Sequence, residues 1–156
     1  MKVKITKGDG GKNLDKMLLD KGFSKKASIG WFPKNKYADN TPVAQVAAWN
    51  EFGRYARPFM RPTISENSQK WSGLSSILSK RVLKGGMNQT SALEQLSLVI
   101  ESDFRKAIVN LKEPALAEST ILSRMSKRKS KARTPTIEKP LVDTGIMLNT
   151  LTKVIK

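Results

Sequence analysis

Cysteine and histidine are both missing from this 156-residue sequence. Their absence excludes disulfides, thiol nucleophiles, imidazole bases and any Cys/His zinc site. It leaves the redox compartment open, because such a chain is indifferent to it. Acidic residues are scarce: 13 Asp and Glu face 29 Lys and Arg, a formal net charge of +16. The carboxylates are scattered, and no metal-like cluster stands out. No apolar run approaches the ~18 residues of a membrane span. The start, Met1-Lys2-Val3-Lys4-Ile5, has no secretory apolar core. The expectation is a soluble protein used without export, with no membrane partner, no cofactor and no small-molecule substrate. The charge speaks to partners rather than fold. It suits nucleic acid as well as acidic protein surfaces.

The length suits a single domain, residues 1–156. Val3 and Ile5 alternate with polar residues, so Lys2–Thr6 reads as a strand. Leu14, Met17 and Leu18 predict a short helix over about residues 13–21. Ala27–Phe32 reads as a strand limited by Pro33. Thr41-Pro42 predicts a helix start, with Thr41 as cap, and Gly53 reads as a left-handed stop. Arg57-Pro58-Phe59-Met60-Arg61-Pro62 reads as an extended corner, because each proline disfavours helix before it. Thr63-Ile64-Ser65-Glu66 has capping-box spacing and predicts a helix from about Ile64 to Leu83. Its apolar stripe is Ile64, Trp71, Leu74, Leu78 and Val82.

Ser91–Glu94 reads as a second capping box. It precedes the cleanest stripe in the chain: Leu93, Leu96, Ile100, Phe104, Ala107 and Leu111. The short link predicts that these two long helices are antiparallel neighbours. A shorter helix is predicted over Ala117–Met125, a helical turn over Ile146–Thr150 and a terminal strand over Leu151–Ile155. The expected fold is α+β: a small mixed or antiparallel sheet packed against two long antiparallel helices, with a mobile basic loop over 126–139.

Each candidate motif has a plain reading beside a functional one. Asp143-Thr144-Gly145 has the Asp-Thr-Gly form of aspartic proteases, in which two carboxylates share a proton. Only 11 residues follow Gly145, too few for the rest of such a barrel. Asp143 is therefore expected to cap the short helix, and no catalytic residue is assigned. Lys127, Arg128, Lys129, Lys131 and Arg133 load the loop with charge that could neutralise phosphates without sequence preference. No aromatic lies among them to stack on bases, and the plain reading is a solvated connection. Trp49, Glu51, Phe52, Arg57, Phe59 and Arg61 gather the residue types that dominate interface hot spots. They read equally as a core corner, with Phe59 buried and Arg57 and Arg61 paired to carboxylates such as Glu51. Glu94 and Glu101 are expected on a solvated flank.

Two of these segments carry a resemblance. Val43-Ala44-Gln45-Val46-Ala47-Ala48-Trp49-Asn50-Glu51-Phe52-Gly53, followed by Arg57-Pro58-Phe59-Met60-Arg61-Pro62, resembles the "N-E-F-G, then R-P-F-x-R-P" signature of neck and tail-completion proteins of tailed bacteriophages. Lys139-Pro140-Leu141-Val142-Asp143-Thr144-Gly145-Ile146-Met147-Leu148-Asn149-Thr150-Leu151 is similar to the "P-L-x-D-T-G" ending of the same head–tail joining, virion-morphogenesis group. Ser119-Thr120-Ile121-Leu122 matches its approach to the basic loop. Thr150 stands where relatives often have Ser, and Gly53-Arg54-Tyr55-Ala56 is shorter than their loop. The resemblance implies a structural subunit rather than an enzyme. It would be assembled in the host cytoplasm and located in the virion neck or tail. It would form a ring, often a hexamer, and dock on tail-tube or head-connector proteins, with non-specific contact to packaged DNA. The competing reading is a stand-alone basic nucleic-acid-binding protein.

Overall fold

A computed structural model describes residues 24–127 and 137–156. The strand expected over Lys2–Thr6 and the helix expected over 13–21 lie outside the described residues. In chain order the elements are β1 (Ala27–Gly30), α1 (Val43–Phe52), α2 (Met60–Leu83), α3 (Gln89–Asn110), α4 (Glu118–Ser126), α5 (Ile146–Asn149) and β2 (Thr152–Ile155). The fold is broadly α+β. β1 and β2 form an antiparallel pair with Ala27 opposite Ile155 and Gly30 opposite Thr152. The sheet packs on α3, and α2 runs along α3. The two long helices are antiparallel, since α2 residues 14 and 13 positions before the turn at Lys84 meet Asp103 of α3: Lys70 Nζ donates to its Oδ2 at 2.6 Å and Trp71 Nε1 at 2.8 Å. No helix among the described residues is long and apolar enough to cross a membrane.

The core lies where α1, the corner before α2, the second half of α3 and the segment 141–147 converge. Val43, Ala47, Phe59, Ile108, Leu141, Val142 and Met147 are buried there. Trp31 closes one side, with its ring edge-on to Phe59 at 5.9 Å and its Nε1 donating to the Met147 carbonyl at 2.7 Å. Arg105 fastens the end of the chain to α3. Its guanidinium donates to the carbonyls of Leu148 and Leu151, both at 2.8 Å, while Glu101 one turn earlier holds it at 2.7 Å.

Several expectations about element ends are corrected. α2 begins at Met60, four residues before the expected start, with Arg61, Pro62 and Thr63 inside its first turn. Pro62 is tolerated because the first N–H groups of a helix have no intrahelical acceptor to lose. Thr63 does not cap; its hydroxyl donates back to the Phe59 carbonyl at 2.6 Å. α3 is capped by Asn88, whose Oδ1 accepts from the Ser91 N–H at 2.8 Å, so Ser91 is not the cap. Pro42, not Thr41, stands at the N-cap of α1. Asp39 Oδ1 accepts the Thr41 N–H instead, and that bond holds the Asp39 carboxyl below its usual range. On α3 the expected stripe is only half-buried, and the fully covered positions are Ala92, Ser97, Asp103 and Ile108. Glu101 is not on a solvated flank: it is paired to Arg105 and Lys153.

Candidate functional site

α1 ends in a corner that the residue order Trp49-Asn50-Glu51-Phe52-Gly53 builds from the inside out. Glu51 is fully buried. One carboxylate oxygen accepts the N–H groups of Phe59 and Met60, each at 2.8 Å. The other accepts the Arg61 N–H at 3.0 Å and the Arg61 Nε at 2.9 Å. A side chain from α1 thus caps α2, placing a negative charge where the helix dipole is positive. Burial pushes the Glu51 carboxyl up, and the bonds from Met60, Arg61 and Phe59 outweigh it, so the net shift is downward. The Arg61 guanidinium also donates to the Glu51 carbonyl at 3.0 Å and lies 4.9 Å over the Phe52 ring.

The turn itself depends on Gly53, though not through a left-handed backbone. Its φ is −72°, and its N–H donates to the Trp49 carbonyl at 2.8 Å. A Cβ on Gly53 would collide with that same carbonyl oxygen. Gly53→Ala is therefore expected to destabilise by about 1–3 kcal/mol despite alanine's better helix propensity. Gly73→Ala, at a mid-helix position with open space around the added Cβ, is expected to stabilise by up to about 1 kcal/mol. Urea unfolding of the two variants checks the opposite signs.

The outer side of the corner is aromatic and cationic. Trp49 is 56% exposed, Phe52 54% and Tyr55 78%. Arg54 lies 5.6 Å over the Tyr55 ring. The corner thus divides along the alternatives the sequence left open: Glu51 and Phe59 belong to the interior, Trp49 and Phe52 to the surface. Arg57 does not pair with Glu51. It donates to the carbonyls of Pro114 and Ala115 at 3.0 and 3.3 Å, tying the corner to the link between α3 and α4.

No family model, curated protein or solved structure matches the chain.

The Asp143-Thr144-Gly145 motif forms a second constellation. Asp143 does not cap α5. Gly145 stands at the N-cap with φ 75°, a left-handed conformation that favours glycine, and the Thr144 hydroxyl accepts the Ile146 N–H at 3.4 Å. Asp143 instead meets Arg124 Nε at 3.6 Å. The other guanidinium nitrogens of Arg124 donate to the carbonyls of Ile137, Lys139 and Pro140 at 3.0, 2.8 and 3.3 Å. Burial, followed by the charges of Asp143 and Asp39, pushes the nearby Tyr37 hydroxyl up. Tyr37, Asn50, Arg124, Asp143 and Gly145 line a cleft of about 290 Å³. Among the described residues no cluster of acidic side chains suits a metal.

The bounds expected for the basic loop are corrected at both ends. Ser126 closes α4, Lys127 is its C-cap, and Ile137 is buried. Arg128, Lys129, Lys131 and Arg133 lie outside the described residues. Arg105 and Arg124 were not singled out in the sequence. Glu101 and Arg105, four apart, carry the spacing of a helical ion pair. Arg124 carries no comparable signal, because its acceptors are main-chain carbonyls.

Proposed function

We propose that this chain is a structural assembly subunit of the phage neck or tail-completion type, which joins or terminates the tail at the head–tail junction. Trp49, Phe52 and Tyr55 carry the reading: three large exposed aromatics within seven residues, on a corner fixed from within by a buried carboxylate. Such aromatic–arginine groups dominate association energetics when covered. The two sequence motifs that suggest the family fall on this corner and on the Arg124–Asp143 constellation. A ring needs a head-to-tail interface, in which one surface of a subunit meets a different surface of the next. At +16 each subunit repels its copies, so closure should strengthen with salt or on an oppositely charged partner.

The test is the absolute mass of nuclease-treated protein by light scattering, at ionic strengths of about 0.15 M and about 0.5 M, alone and with isolated tails. The expected product is a ring of about six copies. Trp49→Ala with Phe52→Ala should lower its yield without altering the thermal midpoint of the subunit. A subunit that stays monomeric throughout, does not bind tails and binds duplex DNA with a steep salt dependence would overturn this reading in favour of the nucleic-acid binder.

A further inference from the structure

The sheet has a second edge. Lys26 and Lys156 exchange both of their main-chain hydrogen bonds, at 2.6 and 2.9 Å. The antiparallel ladder alternates from there, so Ser28 and Gly30 face β2 while the N–H and C=O groups of Ala27 and Ile29 point away from it. Among the described residues no hydrogen bond reaches those outward groups. Beside this edge runs a groove of about 300 Å³, lined by five consecutive residues from Ser28 to Phe32. Met60, Phe104 and Leu151 form its floor, so it opens at the edge of β1 and reaches under the sheet. Its far wall is α1. Val43, Ala47 and Glu51 face the core, and Ala44, Ala48 and Phe52, spaced by four, present a second apolar stripe outward. A short helix apolar on both sides has a face to cover. Exposed lysines bracket the strand: Lys25 and Lys26 precede it, and Lys34 and Lys36 follow, with no carboxylate between.

We propose that this groove docks an extended segment of a partner protein, one that alternates apolar and acidic residues and adds to β1 as a third strand. The main chain of Ala27 and Ile29 supplies the pairing, the α1 stripe takes the alternate apolar side chains, and the flanking lysines select carboxylates. A second copy of this edge would bring its own flanking lysines against these, so an acidic segment suits it better. The inference rests on the reading that the chain docks on another protein, and it names the chemistry of that partner.

The probe is the blocked peptide Glu-Val-Glu-Leu-Glu-Val-Glu, titrated against the full chain. Its Lys-for-Glu counterpart and a version N-methylated at Leu serve as controls. The acidic peptide should bind and slow exchange of the Ile29 amide by about tenfold or more. The two controls should bind at least about tenfold more weakly. Ala48→Glu, at an exposed position of the groove wall, should abolish binding with the thermal midpoint unchanged. Lys26→Glu with Lys34→Glu, which leaves the groove open, should weaken it at least about tenfold. Equal binding of the basic peptide, an unprotected Ile29 amide or indifference to Ala48→Glu would overturn the proposal. So would protection of Ile29 without peptide: dependent on concentration it would assign the edge to a second copy, independent of it to a segment of this chain outside the described residues. Rings that form without peptide affinity would sink the groove alone; peptide affinity without any assembly would sink the assembly reading alone.

Discussion

Glu51→Ala is expected to lose about 3 kcal/mol of stability, because it removes a fully buried carboxylate that accepts four hydrogen bonds. The loss has two sources. The N–H groups of Phe59, which is buried, and of Met60 and Arg61, which are partly covered, stay at the start of α2 but lose their acceptor. Arg61 loses the anion that holds it over Phe52. Against a total stability of ~5–15 kcal/mol this is a large fraction. The thermal midpoint should fall by on the order of 10 °C for a chain of this size. Glu51→Gln keeps one carbonyl oxygen and the side-chain shape, so its loss should be roughly half as large.

The same carboxylate sets part of the acid sensitivity. Its folded pKa is depressed, so its contribution is fully present above its ordinary value of ~4.3 and is lost as pH falls through the lower folded value. Asp103 behaves alike: burial raises it, and Lys70 and Trp71 outweigh that and lower it. Urea unfolding from pH 6 down to about 2.5 should show wild-type stability falling steeply below about pH 4.3. In Glu51→Gln the fall should be shallower, with Asp103 accounting for much of what remains. A Glu51→Ala protein within about 1 kcal/mol of wild type would mean that water replaces the cap, and the corner would then be less rigid than its geometry implies.

The reading of the sequence succeeded where one periodicity decides an element. The bounds of α3 and of the final β-strand lie close to those that apolar spacing sets, and the short link between the long helices points to their antiparallel packing. It fails at the corner because Pro58 and Pro62 both read there as excluding helix. Pro62 falls in the first helical turn, where it breaks no bond, and the cap comes from Glu51, a residue on another helix. A capping search over neighbouring residues finds Thr63 and Glu66 because it looks only along the chain. The stripe of α3 was displaced for a related reason. Asp103 meets α2, and it is admitted to a buried place by Lys70 and Trp71, more than thirty residues away. Within the aromatic cluster, the side chains turned inward and those turned outward were inseparable in the sequence. The buried position Glu51, an acidic residue in an apolar helix of a strongly basic chain, was the visible irregularity.

Arg124→Ala is expected to cost about 3 kcal/mol and to loosen the segment that brings Ile137, Leu141 and Val142 into the core. A guanidinium is a planar fork, and here it meets three main-chain carbonyls, those of Ile137, Lys139 and Pro140. Hydrogen bonds to a charged donor are individually worth ~1.5–3 kcal/mol, and three that share one side chain do not add in full. Arg124→Lys should recover less than half of the loss, because an ammonium on a flexible stem cannot reach all three at once. Asp143→Asn separates the clamp from the Asp-Thr-Gly motif. Asp143 is half exposed and its pair with Arg124 is long at 3.6 Å, so that variant should shift stability by less than about 1 kcal/mol. Hydrogen exchange at the Val142 amide, which donates to the Lys139 carbonyl at 3.3 Å, reports the clamp directly. It should accelerate strongly in Arg124→Ala and little in Asp143→Asn. The reverse order would make Asp143 the organising residue and reduce Arg124 to its counter-ion. The expected order makes the motif dependent on a residue outside it: Arg124 holds the chain in place, and Gly145 then turns it into α5.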